Sequence, residues 1–139
     1  MPDRAKPLVG IVVASHSAKI AEGVVELAGQ MAGPEVRLIA AGGAIDGSLG
    51  TDASRIAEAI SQADSGAGVV VLADLGSAVL AAKMALDMVT PETAARTKLS
   101  GGPIVEGAVV AAVQASAGDS LWAVLAAAEE AAQMPKGVS

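Results

Sequence analysis

The chain of 139 residues has no cysteine, tyrosine or phenylalanine, one tryptophan (Trp122) and one histidine (His16). Without cysteine it can form neither disulfides nor thiolate metal sites, and a single histidine disfavours a zinc centre. No apolar run approaches the ~20 residues of a membrane span. The N-terminal Met1-Pro2-Asp3-Arg4-Ala5-Lys6 lacks the order of charges, apolar run and cleavage site of a signal peptide. Basic residues are few and scattered, and the net charge is −6. That balance argues against nucleic acid or an anionic membrane surface as a partner. Three motifs are also missing. There is no GxxxxGK[ST] for P-loop nucleotide binding and no GxGxxG directly after the first apolar run. Neither Ser15 nor Ser77 sits in a GxSxG elbow, which weakens a serine hydrolase reading. A soluble cytoplasmic protein without a metal or cofactor is the simplest expectation.

What is present is aliphatic. Hydrophobic residues make up 53% of the chain, so the core must be built from Ala, Val, Leu, Ile and Met. Residues 1–139 read as one domain of ordinary size, with neither an internal repeat nor a linker. The unbroken apolar run Val9 to Ala14, ending in Ser15-His16-Ser17, predicts a strand buried on both faces. A helix follows from about Ala18 to Ala32, with Ile20, Val24, Leu27 and Met31 on one face, and Gly33-Pro34 stops it. Val36 to Ala41 predicts a second strand, and the glycine-rich stretch Gly42 to Gly50 predicts a loop. Thr51 is placed to cap the next helix, with Asp52 in its first turn and Ala53, Ile56, Ala57 and Ile60 inward.

Gly68 to Ala73 predicts a third buried strand, ending in Asp74-Leu75-Gly76-Ser77. The helix after it is expected to turn Val79, Leu80, Met84 and Met88 inward. Thr90-Pro91-Glu92 opens a further helical turn, and Lys98 to Pro103 predicts a short fourth strand. An Ala/Val-rich helix then runs to about Ala117. Asp119 is placed to cap a last helix carrying Leu121, Val124, Leu125 and Ala128, and the tail from Met134 is expected to be loose. Trp122, on that helix, reads as core or as a dimer interface. Alternating strands and helices favour an α/β fold: a three-layer α/β/α sandwich with a mostly parallel sheet of 4–5 strands.

In such a sheet ligands collect at the carboxyl ends of the strands. His16, Gly42-Gly43, Asp74 to Ser77 and Pro103 all fall there. His16 lies beside a helix N-terminus, whose dipole disfavours the imidazolium and whose unpaired N–H groups suit an anion. Asp74, at the end of another strand, either fixes the tautomer of that ring or caps the helix near Ser77. Gly42-Gly43 and Gly76-Ser77 either offer N–H groups and a hydroxyl to an anion or only mark turns. An anion-friendly edge with one neutral nucleophile suits phosphoryl transfer through a phosphohistidine.

Five segments, in order, carry a resemblance: Ile11-Val12-Val13-Ala14-Ser15-His16-Ser17, Glu22 to Ala28, Gly50-Thr51-Asp52-Ala53, Asp74-Leu75-Gly76-Ser77-Ala78 and Pro103-Ile104-Val105-Glu106-Gly107. Over about residues 8–133 the chain resembles the DhaM phosphoryl-carrier subunits of the phosphotransferase-system (PTS) dihydroxyacetone kinase, within the mannose-type EIIA domains. The resemblance implies that His16 accepts a phosphoryl group from HPr and passes it to ADP on the DhaL subunit. DhaL then phosphorylates dihydroxyacetone held by DhaK. It implies a homodimer and a carboxylate partner for His16, the position of Asp74, with Thr51 and Ser77 at polar positions near the pocket. The expected phosphate-binding set is Ser17, Gly43, Thr51, Gly76 and Ser77. Relatives with HPr-like and enzyme I-like domains appended exist, so a chain ending at Ser139 implies a separate phospho-HPr. Ser17 stands where sugar-transporting relatives typically have glycine, which favours the DhaM branch. The alternatives are a mannose-type sugar EIIA and a regulatory module that reports its phosphorylation state. Ile45, Leu49, Leu75 and Val105 are candidates for a docking rim, with loop packing as their other reading.

Overall fold

The computed structural model describes residues 6–138. Met1 to Ala5, most of the stretch read against a signal peptide, and Ser139, the end of the tail, lie outside the described residues. Four parallel strands form one sheet in the order β2-β1-β3-β4. They are β1 (Gly10–Ser15), β2 (Leu38–Gly42), β3 (Val69–Ala73) and β4 (Thr97–Ser100). The helices are α1 (Ala18–Met31), α2 (Ala53–Ala63), α3 (Gly76–Ala85), α4 (Pro91–Ala95), α5 (Ile104–Ser116) and α6 (Leu121–Glu130), and a 3₁₀ turn at Ala131–Gln133 follows.

The central strands show why the sequence folds into layers. In β1, Ile11 and Val13 pack toward α1, α5 and α6, while Val12 and Ala14 pack toward α2 and α3. In β3, Val70 and Leu72 join the first core and Val69 and Val71 the second. A strand buried on both faces needs an unbroken apolar run rather than alternation. The expected α/β/α sandwich is therefore observed, with four strands.

The helix faces differ from the expectation. On α1 the buried residues are Ala21, Val24 and Ala28, whereas Ile20, Leu27 and Met31 are exposed. On α3 the buried residues are Ala78, Ala81, Ala82 and Ala85, Val79 is half-buried, and Leu80 and Met84 are exposed, as is Met88 just beyond the helix. On α1 the reason is proximity. A Cβ on Gly42, at the end of β2, would lie 2.4 Å from Ser17 O and 2.9 Å from both Ala18 Cα and Ala21 Cβ. With α1 this close to the sheet, only small side chains fit against it, so its larger apolar residues turn outward. Trp122 is not core: it is 64% exposed, and Lys98 Nζ stands 4.8 Å from its ring centroid.

Two helix caps sit one residue later than expected. Asp52, not Thr51, is the N-cap of α2, accepting from Ser54 N at 2.9 Å. Ser120, not Asp119, caps α6, accepting from Ala123 N at 3.2 Å. Away from the sheet's carboxyl edge, the half-buried Asp64, its side chain shielded, accepts from Arg96 Nε at 2.9 Å and from Thr93 Oγ1 at 2.8 Å, tying the end of α2 to α4. In the C-terminal tail, Lys136 pairs with Glu106 in the first turn of α5.

Candidate active site at the carboxyl edge of the sheet

The chain leaves β1 toward β2 on one side and reaches β3 on the other, so the carboxyl ends of β1 and β3 flank the point where the strand order reverses. Adjacent parallel strands bound for opposite sides leave a crevice between their exits. His16 follows β1 and Asp74 follows β3, and their neighbours Ala14 and Ala73 are register partners. The juxtaposition of the two side chains is thus a product of topology.

His16 Nδ1 lies 3.0 Å from Asp74 Oδ1. The other oxygen, Oδ2, accepts from Ser15 Oγ at 2.8 Å and from the His16 amide at 3.1 Å. The Leu75 amide donates to Oδ1 at 2.7 Å. Partial burial alone would raise the Asp74 carboxyl. The hydrogen bonds from Ser15, from the amide and ring of His16 and from the Leu75 amide outweigh it and hold the group below its ordinary value. An ionised Asp74 accepts only, so Nδ1 carries the ring proton and Nε2 keeps the lone pair. Nε2 faces the hydroxyl of Ser77, in the first turn of α3. The imidazole is 28% exposed and Asp74 13% exposed; the ring is reachable while its partner is shielded.

The other expected phosphate ligands have distinct places. Gly76 and Ser77 open α3, whose N-cap Leu75 contributes no side-chain hydrogen bond. A Cβ on Gly76 would meet nothing within 4 Å, so the space beside this helix start is open. Ser17 caps α1, accepting from Ile20 N at 3.2 Å, and its own amide donates to Ser15 Oγ at 3.0 Å. Gly43 is a correction. Its N–H donates to Ser15 O at 3.1 Å, so that amide closes the strand-to-loop turn instead of facing an anion. Its φ of +79° explains the glycine. Thr51 follows Gly50, whose amide donates to His16 O at 2.8 Å. The glycine-rich loop is thereby tied to the site through backbone, and Thr51 makes no hydrogen bond to the ring.

Asp46 and Glu106 are engaged elsewhere. Asp46 accepts from Ser48 N at 3.0 Å and from the Ser48 hydroxyl; Glu106 pairs with Lys136. Ile45, Leu49, Leu75 and Val105 are all exposed at this edge of the molecule. Ser15 was not among the residues expected at the site. It ends an apolar strand, where nothing in the sequence distinguishes a buried polar partner from a turn residue. Among the described residues no group of three or more His, Asp or Glu side chains could hold a metal ion, and no helix is long and apolar enough to cross a membrane.

Comparison with known proteins gives the family. The family model EIIA-man, PTS system fructose IIA component, matches residues 10–125. The phosphoryl donor subunit DhaM of a PEP-dependent dihydroxyacetone kinase from Listeria innocua is 40% identical over 118 residues, covering 85% of this chain and 94% of that protein. The DhaM of Escherichia coli is 41% identical over 114 residues, which are 80% of this chain and 24% of the longer relative. A solved crystal structure of a protein of unknown function superposes with a TM-score of 0.83 at 38% identity, covering 95% of this chain and 99% of that one. A sigma-54 interaction domain protein from Enterococcus faecalis, at 21% identity and a TM-score of 0.67, shares the fold. The chain belongs to the EIIA-man family of phosphotransferase-system IIA components, alongside the DhaM phosphoryl donor subunits.

Proposed function

We propose that this chain is the phosphohistidine carrier of a PEP-dependent dihydroxyacetone kinase. Nε2 of His16 attacks the phosphorus of phospho-HPr. An N–P bond forms on His16 as the donor's N–P bond breaks, and the electron pair of the broken bond returns to the donor nitrogen. Throughout, the Nδ1 proton stays on His16. The phosphorylated ring is then cationic, and the Asp74 carboxylate 3.0 Å away offsets that charge. In the second step ADP held on DhaL attacks the same phosphorus, and Nε2 leaves as a neutral imidazole. DhaL phosphorylates dihydroxyacetone bound on DhaK.

One observation carries this reading: a carboxylate-held, partly exposed imidazole whose free nitrogen faces the first turn of a helix. That turn supplies the Gly76 and Ser77 amides and the Ser77 hydroxyl for the oxygens of the transferred group, with Ser17 and Thr51 flanking. Small-molecule enzymes usually bury their substrate in a cavity. A hollow of about 550 Å³ between α1, α5 and α6 is lined by Met31, Val109, Val113 and Met134 and holds none of the site residues. On this reading the phosphoryl group arrives on a protein, docked on Ile45, Leu49, Leu75 and Val105, all of which are exposed. The exposed apolar residues of α1 and α3 offer area for the homodimer that the family resemblance implies.

The test is incubation with phosphoenolpyruvate, enzyme I and HPr. One acid-labile, base-stable phosphate per chain is expected, and none on His16→Ala. Discharge of the labelled protein by DhaL-ADP, and not by a sugar-specific EIIB, assigns the acceptor. Retention of label on His16→Ala refutes the proposal.

A further inference from the structure

The polarity of the hydrogen bonds behind the ring is fixed from one end. The Ser17 amide can only donate, and it donates to Ser15 Oγ at 3.0 Å. The Ser15 hydroxyl must therefore direct its own proton elsewhere, and its acceptor is Asp74 Oδ2 at 2.8 Å. The same oxygen takes the His16 amide at 3.1 Å, while Oδ1 takes the Leu75 amide at 2.7 Å. Two backbone amides and one hydroxyl of set direction thus occupy the carboxylate. The remaining direction, from Oδ1 to Nδ1 at 3.0 Å, is left for the ring proton. Ser15 itself is 1% exposed, so its hydroxyl has no water to turn to.

We infer that Ser15 is a positioning residue: it locks the Asp74 carboxylate about its side-chain torsion and thereby holds His16 in the tautomer with Nδ1 protonated and Nε2 bare. Without this hydroxyl, Oδ2 keeps a single donor from the end of β1, and the Ser17 amide loses its acceptor. The carboxylate can then rotate away from Nδ1, and the ring proton redistributes onto Nε2, where it blocks attack. The use of this device in phosphoryl transfer rests on the function proposed above. The state of the ring does not, and it can be read without any transfer reaction.

The experiment is nitrogen NMR of the ring in protein carrying ¹⁵N-histidine, at a pH where the imidazole is neutral. Because the chain has one histidine, the spectrum has one ring to report. The wild type should show a protonated Nδ1 and a bare Nε2. In Ser15→Ala the two signals should move toward each other as the tautomers mix. Phosphoryl acceptance from phospho-HPr should fall about tenfold, the weight of one hydrogen bond to a charged group. Ser15→Thr, which retains the hydroxyl, should restore both. The inference is overturned if the wild-type ring carries its proton on Nε2. It is also overturned if folded Ser15→Ala keeps the wild-type ring spectrum, or if folded Ser15→Thr does not restore it. Should Ser15→Ala not fold, the wild-type and Ser15→Thr spectra decide. A ring that responds as expected in a wild-type chain that takes no phosphate would refute the carrier function and uphold the assignment of Ser15.

Discussion

Asp74→Asn is the substitution that bears most directly on the chemistry. The side chain changes little in shape, but one acceptor oxygen becomes an NH₂ donor. Either placement conflicts with the structure. With NH₂ in the Oδ2 position it opposes the His16 amide, a donor that cannot reverse. With NH₂ in the Oδ1 position it opposes the Leu75 amide at 2.7 Å and also donates to Nδ1, which forces the ring proton onto Nε2. The lost charge matters separately, because the ring becomes cationic as the N–P bond forms. A hydrogen bond to a charged group contributes about 1.5–3 kcal/mol, or roughly 10- to 150-fold in rate. With tautomer inversion added, we expect phosphorylation to slow by about 10²- to 10³-fold. For comparison, the corresponding Asp→Asn change behind a protease histidine costs about 10⁴. The assay is single-turnover transfer from phospho-HPr by rapid quench, with a thermal melt to confirm folding. A folded Asp74→Asn within about threefold of wild type would refute the account of the site.

Acid should destabilise the protein chiefly through Asp64 and Asp74, the two partly buried carboxylates among the five held below their ordinary values. Asp64 resembles Asp74: burial raises its carboxyl, and hydrogen bonds from Arg96, Thr93 and the Gly66 amide bring it below its ordinary value. In both groups the folded value is the lower one, so the unfolded chain binds the proton first as pH falls. The stabilisation is complete above the unfolded value near pH 4 and disappears as pH drops through the folded values. Urea melts between pH 6 and pH 2 should show the loss, and Asp64→Ala, which leaves the Thr93 hydroxyl and Arg96 without their acceptor, should lose about 2 kcal/mol at pH 7 and flatten the profile. Gly42→Ala would place a Cβ 2.4 Å from Ser17 O. It should cost about 1–3 kcal/mol in a melt and slow phosphorylation by displacing the turn that carries His16. Leu49→Asp, at an exposed position of the glycine-rich loop, should change stability by less than about 0.5 kcal/mol while raising the KM for phospho-HPr, as steady-state transfer kinetics would show.

The strands were legible because runs such as Val69 to Leu72 can hardly be anything but doubly buried; position alone left Asp74 either as the partner of His16 or as a helix cap, and only the family resemblance favoured the pairing seen at 3.0 Å. The helix faces were not legible. Pattern reading assumes that the largest apolar residues of an amphipathic helix face the core. Here Ala21 and Ala28 on α1, and four alanines on α3, take the sheet side. On α1 what decides this is the distance between layers, set by the approach of Gly42 to Ala21, and that distance leaves no periodic trace in the sequence. Gly43 shows a related blind spot. A glycine pair at a strand end suggests amides turned toward an anion, but whether an amide is already engaged depends on the path of the neighbouring strand, here Ser15 O. Ser15 was missed for the converse reason: burial gives a serine a single hydrogen-bonding direction, and burial is a tertiary property.

The site also explains why such a carrier can use so few residues. A transferred phosphoryl group requires in-line approach and donors for its oxygens, and little proton traffic. Asp74 and Ser15 settle the only proton that matters before any partner arrives. On the function proposed above, the start of α3 supplies donors to the group through backbone and one hydroxyl. With the charge handled by fixed dipoles and one carboxylate, the rim is left to apolar side chains at Ile45, Leu49 and Leu75. Apolar rims suit partners that must bind and leave in turn, because desolvating them costs little and strands no buried charge on departure. The same histidine can then face a donor and an acceptor of different shape, provided that each presents phosphorus in line with Nε2.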